Sequence, residues 1–208
     1  MGSRIPRLYA IIDAAQTGAR SPVQVAETLL VSGVRLIQYR DKAATSRRLF
    51  EVCREIALHA RREGARFIVN DRADVARASG AGGVHVGQED LPLELARRVL
   101  PPGQWAGVST HTLPQMAEAE ASSADYVAFG PIFVTRSKDR PDPVVGLDGL
   151  REVRRKTRKP LVAIGGITLE NAPSVIEAGA NSVAVIHDLL GAEDLGARAR
   201  QFLRILGG

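Results

Sequence analysis

The stretch Val34-Arg35-Leu36-Ile37-Gln38-Tyr39-Arg40-Asp41-Lys42 begins as an apolar strand and ends as a cationic surface with no break in its alternation. Alternate side chains of a strand share a face, about 6.6 Å apart along it. Val34, Leu36, Gln38, Arg40 and Lys42 therefore read as one face that runs from hydrocarbon into charge. A strand in a parallel sheet covered by helices stays apolar on both faces. Polarity arriving at its C-terminal end means that this end opens onto a cavity, unless Gln38, Arg40 and Lys42 simply begin a solvated loop. The rest of the chain decides between these readings.

Short β-branched runs alternate with longer segments of helical spacing from end to end. Strands are expected near residues 8–12, 34–39, 66–69, 83–86, 105–108, 125–129, 161–164 and 182–186. Ser21-Pro22 opens the first helix and Ser32-Gly33 closes it, while Thr168 caps the seventh and Gly179 ends it. Eight βα units with connections this short predict an α/β fold, a single (β/α)8 TIM barrel domain spanning residues 1–208, with its active site at the C-terminal strand ends. A doubly wound sheet is the alternative. Its first strand would be followed by a glycine fingerprint, but Asp13-Ala14-Ala15-Gln16-Thr17-Gly18 holds no G-x-G-x-x-G.

Barrel chemistry is assembled from several strand ends, so those ends are read together. Gln38, Arg40 and Lys42 follow the second strand, Asn70-Asp71 the third and Gly87-Gln88-Glu89-Asp90 the fourth. Ser109-Thr110-His111 end the fifth, Gly130 to Lys138 follow the sixth, Gly165-Gly166 the seventh and Ile186-His187 the eighth. Asp71 and Asp90 leave adjacent strands, and two carboxylates at one rim repel unless a cation or a shared proton intervenes. Mg²⁺ suits such a site, because it takes few protein carboxylates together with ligand phosphates. Arg40, Lys42 and Lys138 would bring further positive charge to a pyrophosphate. Capping of a helix is the alternative for each aspartate. Gly165-Gly166 admits backbone N–H groups to a phosphate, or merely turns the chain. Thr135 and Ser137 add hydroxyls on a Pro-bracketed loop that either closes over substrate or only connects.

Composition narrows the partners. The chain carries a net charge of +5, which favours anionic ligands, yet has no run of five basic residues and no aromatic-basic interleaving. Small phosphorylated molecules are expected rather than nucleic acid. No tract of about 18 apolar residues offers a membrane span. Residues 1–6 lack the apolar run of a secretory leader and Cys53 has no partner for an internal disulfide, so a cytoplasmic location is expected. Cys53 shares a helical pattern with Leu49 and Ile56, as a buried thiol does. His85 and His59 read as packed or solvated. A monomer and a homodimer fit equally.

Taken together, Gln38-Tyr39-Arg40-Asp41-Lys42, Asn70-Asp71-Arg72, Gly83-Val84-His85-Val86-Gly87-Gln88-Glu89-Asp90, Ala124-Asp125-Tyr126 through Gly130-Pro131, Thr135 to Lys138, and Ala163-Ile164-Gly165-Gly166-Ile167 resemble the thiamine phosphate synthases over nearly the whole chain. The resemblance implies a transferase that joins a pyrimidine methyl diphosphate to a thiazole phosphate, releasing pyrophosphate with the help of Mg²⁺. It assigns Gln38, Tyr39, Arg40, Asp41, Lys42, Asn70, Ser109 and Lys138 to the pyrimidine diphosphate, with Arg40, Lys42, Ser109 and Lys138 as the catalytic set. It gives Asp71 and Asp90 to the metal, and Thr135, Arg136, Ser137, Gly166, Ile186 and His187 to the thiazole phosphate. Two positions depart from the family pattern: His187 stands where Ser is usual, and Ser137 where Thr is frequent. The related thiazole tautomerases place a proton-transferring His after the fifth strand, where this chain has His111, so they form the alternative. A phosphate-ligand sensor without turnover is a third reading.

Overall fold

The computed structural model describes residues 5–135 and 142–207. Strand and helix alternate as β1 (Leu8–Asp13), α1 (Pro22–Val31), β2 (Leu36–Arg40), α2 (Ser46–Arg62), β3 (Arg66–Asn70), α3 (Ala73–Ser79), β4 (Gly83–Val86), α4 (Leu93–Val99) and β5 (Trp105–Thr110). They continue as α5 (Leu113–Ala121), β6 (Tyr126–Phe129), α6 (Gly146–Lys156), β7 (Leu161–Ala163), α7 (Ala172–Glu177), β8 (Ser182–Val185), α8 (His187–Leu190) and α9 (Leu195–Leu206). Each strand pairs in parallel with the next and β8 pairs with β1, closing a barrel in chain order. Closure leaves no sheet edge, so the ladder satisfies backbone groups on both sides of every strand. Among the described residues no helix is long and apolar enough to cross a membrane.

The period of two along each strand divides the core into two compartments. Outward-facing Ile37, Tyr39, Phe67, Val69, Val84 and Val86 pack under the helices. Helix α2 answers with Leu49, Val52, Cys53, Ile56, Ala57 and Ala60, spaced three and four apart on one buried stripe. Burial of each large aliphatic side chain there contributes about 1.5–3 kcal/mol. Burial also pushes the Cys53 thiol up to about 12, with Asp41 adding to the shift, which makes it a packing residue and a poor nucleophile. Inward-facing Tyr9, Leu36, Ile68, Tyr126, Ala128, Val162 and Ala184 fill the barrel itself.

Two expected boundaries move. Strand β2 starts at Leu36, and Val34 packs in the outer compartment with its N–H on the Leu29 carbonyl at 3.1 Å, so it does not share the face of Gln38 and Arg40. Helix α7 begins after Asn171, one turn beyond Thr168. Thr168 and Asn171 exchange side-chain-to-backbone hydrogen bonds at 3.3 and 2.9 Å in the turn that leads into it.

Gly107 fixes how the barrel is filled. A Cβ built there would lie 2.1 Å from the Tyr126 ring, so the absent side chain is what admits that ring to the interior. Gly107→Ala should therefore cost about 1–3 kcal/mol through overpacking, read as a lower urea midpoint at unchanged slope. An unchanged midpoint would mean that Tyr126 can move aside freely.

Candidate active site

A cavity of about 540 Å³ opens at the C-terminal ends of the strands. Its lining includes Tyr9, Gln38, Arg40, Asn70, His85, Ser109, His111, Gly166, Ile186 and His187. The even-spaced reading of the second strand thus holds for Gln38 and Arg40, which face inward. Tyr39 and Asp41 do not line the cavity. Tyr39 is buried in the outer compartment, its hydroxyl donates to Asp41 at 2.9 Å, and Asp41 accepts from the N–H groups of Ala43 and Ala44 at 3.0 and 2.9 Å. These two side chains shape the β2–α2 loop.

Charge is organised in two groups. Asp13, at the end of β1, is 2% exposed and receives Arg40 Nη1 at 2.6 Å and the Ala15 N–H at 3.0 Å. Asp13 and Arg40 are register neighbours across the β1–β2 ladder, so the strand pairing itself aims the guanidinium. Lys42 forms the second group. Its ammonium bonds Asp71 and lies 3.8 Å from Asp90, bridging the two carboxylates at the rim beside the cavity rather than lining it.

Asp71 is held there at a cost. It is the only non-glycine residue with positive φ among the described residues, at +62°. The Arg72 N–H reaches back to the Asn70 carbonyl at 2.8 Å across it, a three-residue turn of the rarer strained kind. Burial pushes the Asp71 carboxyl up, and its contact with Asp90 pushes the same way against the pull of Lys42. For Asp90 burial also acts upward, but Asp71, the Gly87 N–H and Lys42 outweigh it and hold the group below the ordinary carboxylate range. One carboxyl up and its neighbour down is how two acids behave when they share a proton or await a cation.

The cavity floor is polar and linked by a file of hydrogen bonds. Gln38 Nε2 donates to Tyr9 Oη at 2.6 Å, Tyr9 and Tyr126 hydroxyls meet at 3.0 Å, and Tyr126 Oη lies 3.0 Å from His85 Nδ1. His85 Nε2 then reaches Ser109 Oγ at 2.8 Å. Tyr126 stacks on His85 at a 5.5 Å centroid distance and meets Tyr9 edge-on. Burial pushes His85 down to about 4, with Asp90 opposing, so the ring is neutral at pH 7. Reading His85 as mere packing missed this role. Its parity with Gly83 and Gly87, and that of Tyr9 with Ile11 and Asp13, was the available signal.

On the opposite wall, Gly165 and Gly166 have φ of +91° and +65°, and a Cβ on either would strike Pro131 or Val134 within 2.5 Å. The pair is required for the β6 and β7 loops to pack together, besides any approach of a ligand. His111 is bound through Nδ1 to the Gly130 carbonyl at 2.5 Å and lies 3.5 Å from Asp142 through Nε2. Thr135 lines the cavity. His187 begins α8 with an exposed side chain. Arg136, Ser137 and Lys138 lie outside the described residues.

The model of the family described as thiamine monophosphate synthase matches residues 8–189. The chain belongs to that family. It is 51% identical to the thiamine-phosphate synthase of Koribacter versatilis, over 99% of this chain and 98% of that protein. With the thiamine-phosphate synthase of Chloroflexus aurantiacus the identity is 45%, over 94% of this chain and 90% of the relative. The thiamine phosphate pyrophosphorylase of Pyrococcus furiosus superposes with a TM-score of 0.87 at 35% identity, covering 97% of this chain and 95% of that one.

Strain at Asp71 yields a test that needs no substrate. Asp71→Gly should raise stability by about 0.5–1 kcal/mol, since glycine adopts positive φ freely and one member of the repelling pair is gone. Thermal unfolding measures it, and a loss of stability would show that the Lys42 contact outweighs strain and repulsion.

Proposed function

We propose that this chain is a thiamine phosphate synthase that joins a pyrimidine methyl diphosphate to a thiazole phosphate and releases pyrophosphate. One observation carries the reading: an arginine fixed by a buried aspartate, and a lysine between two carboxylates, flank a largely apolar cavity. Cationic groups would stabilise a departing anion, and an apolar wall beside them would shield a carbocation from capture by water. Family membership supports the same activity. We place the protein in the cytoplasm as a single catalytic barrel acting on small phosphorylated substrates, with no nucleic acid or membrane partner.

The residues fit Mg²⁺. Asp71 and Asp90 present hard oxygen ligands side by side, and Lys42 already places one positive charge between them. Among the described residues no group of three or more His, Cys, Asp or Glu could hold a metal ion, so phosphate oxygens of the ligand would have to complete the coordination. Asp71 and Asp90 would hold such an ion, which would supply positive charge to the departing diphosphate.

In the proposed reaction the C–O bond of the pyrimidine methyl diphosphate breaks and its electron pair departs on pyrophosphate. Arg40, Lys42 and Lys138 stabilise that charge, and Ser109 donates a hydrogen bond to it. Gln38 holds the pyrimidine. Ile11, Ile164 and Ala184 line the chamber and keep water from the cation until the thiazole nitrogen attacks. The thiazole phosphate rests against Thr135, Arg136, Ser137, Gly166 and the backbone of Ile186 and His187. Cys53 lies in the outer core and is not called upon.

Incubation with both substrates and Mg²⁺ should give thiamine phosphate and pyrophosphate in equal amounts. Isomerisation of a thiazole without use of the pyrimidine would favour the tautomerase, and binding without turnover the sensor. Asp71→Asn should lower kcat/KM about 100-fold with the fold intact, because Asn tolerates positive φ. Undiminished wild-type turnover after thorough chelation would remove the metal from the account. Arg40→Ala should raise KM for the pyrimidine diphosphate about tenfold or more while leaving thiazole phosphate binding nearly unchanged. Equal losses for both substrates would contradict separate subsites.

A further inference from the structure

The floor of the cavity is a single file of hydrogen bonds drawn from five strands: Gln38 on β2, Tyr9 on β1, Tyr126 on β6, His85 on β4 and Ser109 on β5. Both tyrosines and His85 are buried, so no bulk water breaks the file. Each tyrosine hydroxyl has one proton to give, and the neutral imidazole has one N–H. Such a file runs in one direction from end to end, and the group at one end sets the direction at the other.

Gln38 sets it. Its Nε2 donates to Tyr9 Oη, and the buried Tyr9 hydroxyl, whose other neighbour is Tyr126 Oη, satisfies its own proton by giving it there. Tyr126 then gives its proton to His85 Nδ1, which leaves the imidazole proton on Nε2, facing Ser109 Oγ. Ser109 accepts, and its O–H is left to point elsewhere. The cavity, which Ser109 lines, is the open direction. A Gln38 amide turned over would accept from Tyr9 instead, reverse every bond and leave Ser109 donating to His85.

We infer that Tyr9, Tyr126 and His85 are positioning residues that hold the Ser109 hydroxyl as a donor into the cavity, under the control of the Gln38 amide. Recognition of the heterocycle at Gln38 is thereby coupled to anion stabilisation at Ser109. A heterocycle that presents the wrong hydrogen-bonding edge to Gln38 would turn its amide and withdraw the donor from the leaving group. The identity of that anion rests on the synthase reading, whereas the direction of the file does not.

Two measurements test this. In ¹⁵N-labelled wild-type protein at pH 7, His85 should show the proton on Nε2 with Nδ1 bare, and Tyr126→Phe should abolish that preference. A proton on Nδ1 in the wild type would overturn the inference. Kinetically, Tyr126→Phe should lower kcat about tenfold, the scale of one neutral hydrogen bond, with KM for the thiazole phosphate unchanged. In a Ser109→Ala background the same change should have little further effect. Additive losses would mean that Tyr126 acts only as packing, and an unchanged kcat would likewise refute the coupling. If wild type yields no thiamine phosphate while His85 carries its proton on Nε2, the synthase reading fails and the directed file stands.

Discussion

Two tyrosine hydroxyls meeting 3.0 Å apart inside the barrel constrain the rest of the molecule. Buried hydroxyls without partners cost several kcal/mol, so the meeting of Tyr9 and Tyr126 is possible only because Gln38 and His85 complete their hydrogen bonds. The rings also need room, which Gly107 provides by lacking a side chain. Below this layer the interior is mainly hydrocarbon, with Leu36, Ile68 and Val162. Above it the cavity begins. The polar layer is thus both the lid of the apolar core and the floor of the site, and it transmits the rigidity of the closed sheet to side chains that face a ligand.

Charge at the rim is arranged with less comfort. Asp13 is buried and its pairing with the partly exposed Arg40 is dictated by the β1–β2 register, and both Asp13 oxygens are satisfied. Asp71 and Asp90, by contrast, are two carboxylates held close together, one of them on a strained turn, and the Lys42 ammonium between them offsets their repulsion.

Much of this was legible in the sequence because barrel strands obey a simple parity. Eight apolar runs gave the barrel, and the alternation through Gln38 and Arg40 put both on the inner face where they are found. The same parity, applied to Tyr9 and His85, would have placed them beside Gln38. They escaped notice because a tyrosine or histidine within an apolar run looks like core, and their function appears only when five separated strands converge. Tyr39 and Asp41 stay out of the cavity lining for the converse reason. They sit within the motif, but the alternation turns Tyr39 outward, and Asp41 is consumed in ordering its own loop. The strain at Asp71 had no sequence signal, since backbone dihedrals follow from the closure of β3 against β4, where the Asp71 N–H meets the His85 carbonyl at 2.7 Å.

The most direct test is a crystal structure of the protein with thiamine phosphate, pyrophosphate and Mg²⁺. The account predicts pyrophosphate between Arg40 and Ser109, with the cation joining it to Asp71 and Asp90. The thiamine phosphate group should lie across the cavity near Gly166 and His187, with its pyrimidine on Gln38. Pyrophosphate bound away from Arg40, or a pyrimidine out of reach of Gln38, would contradict it.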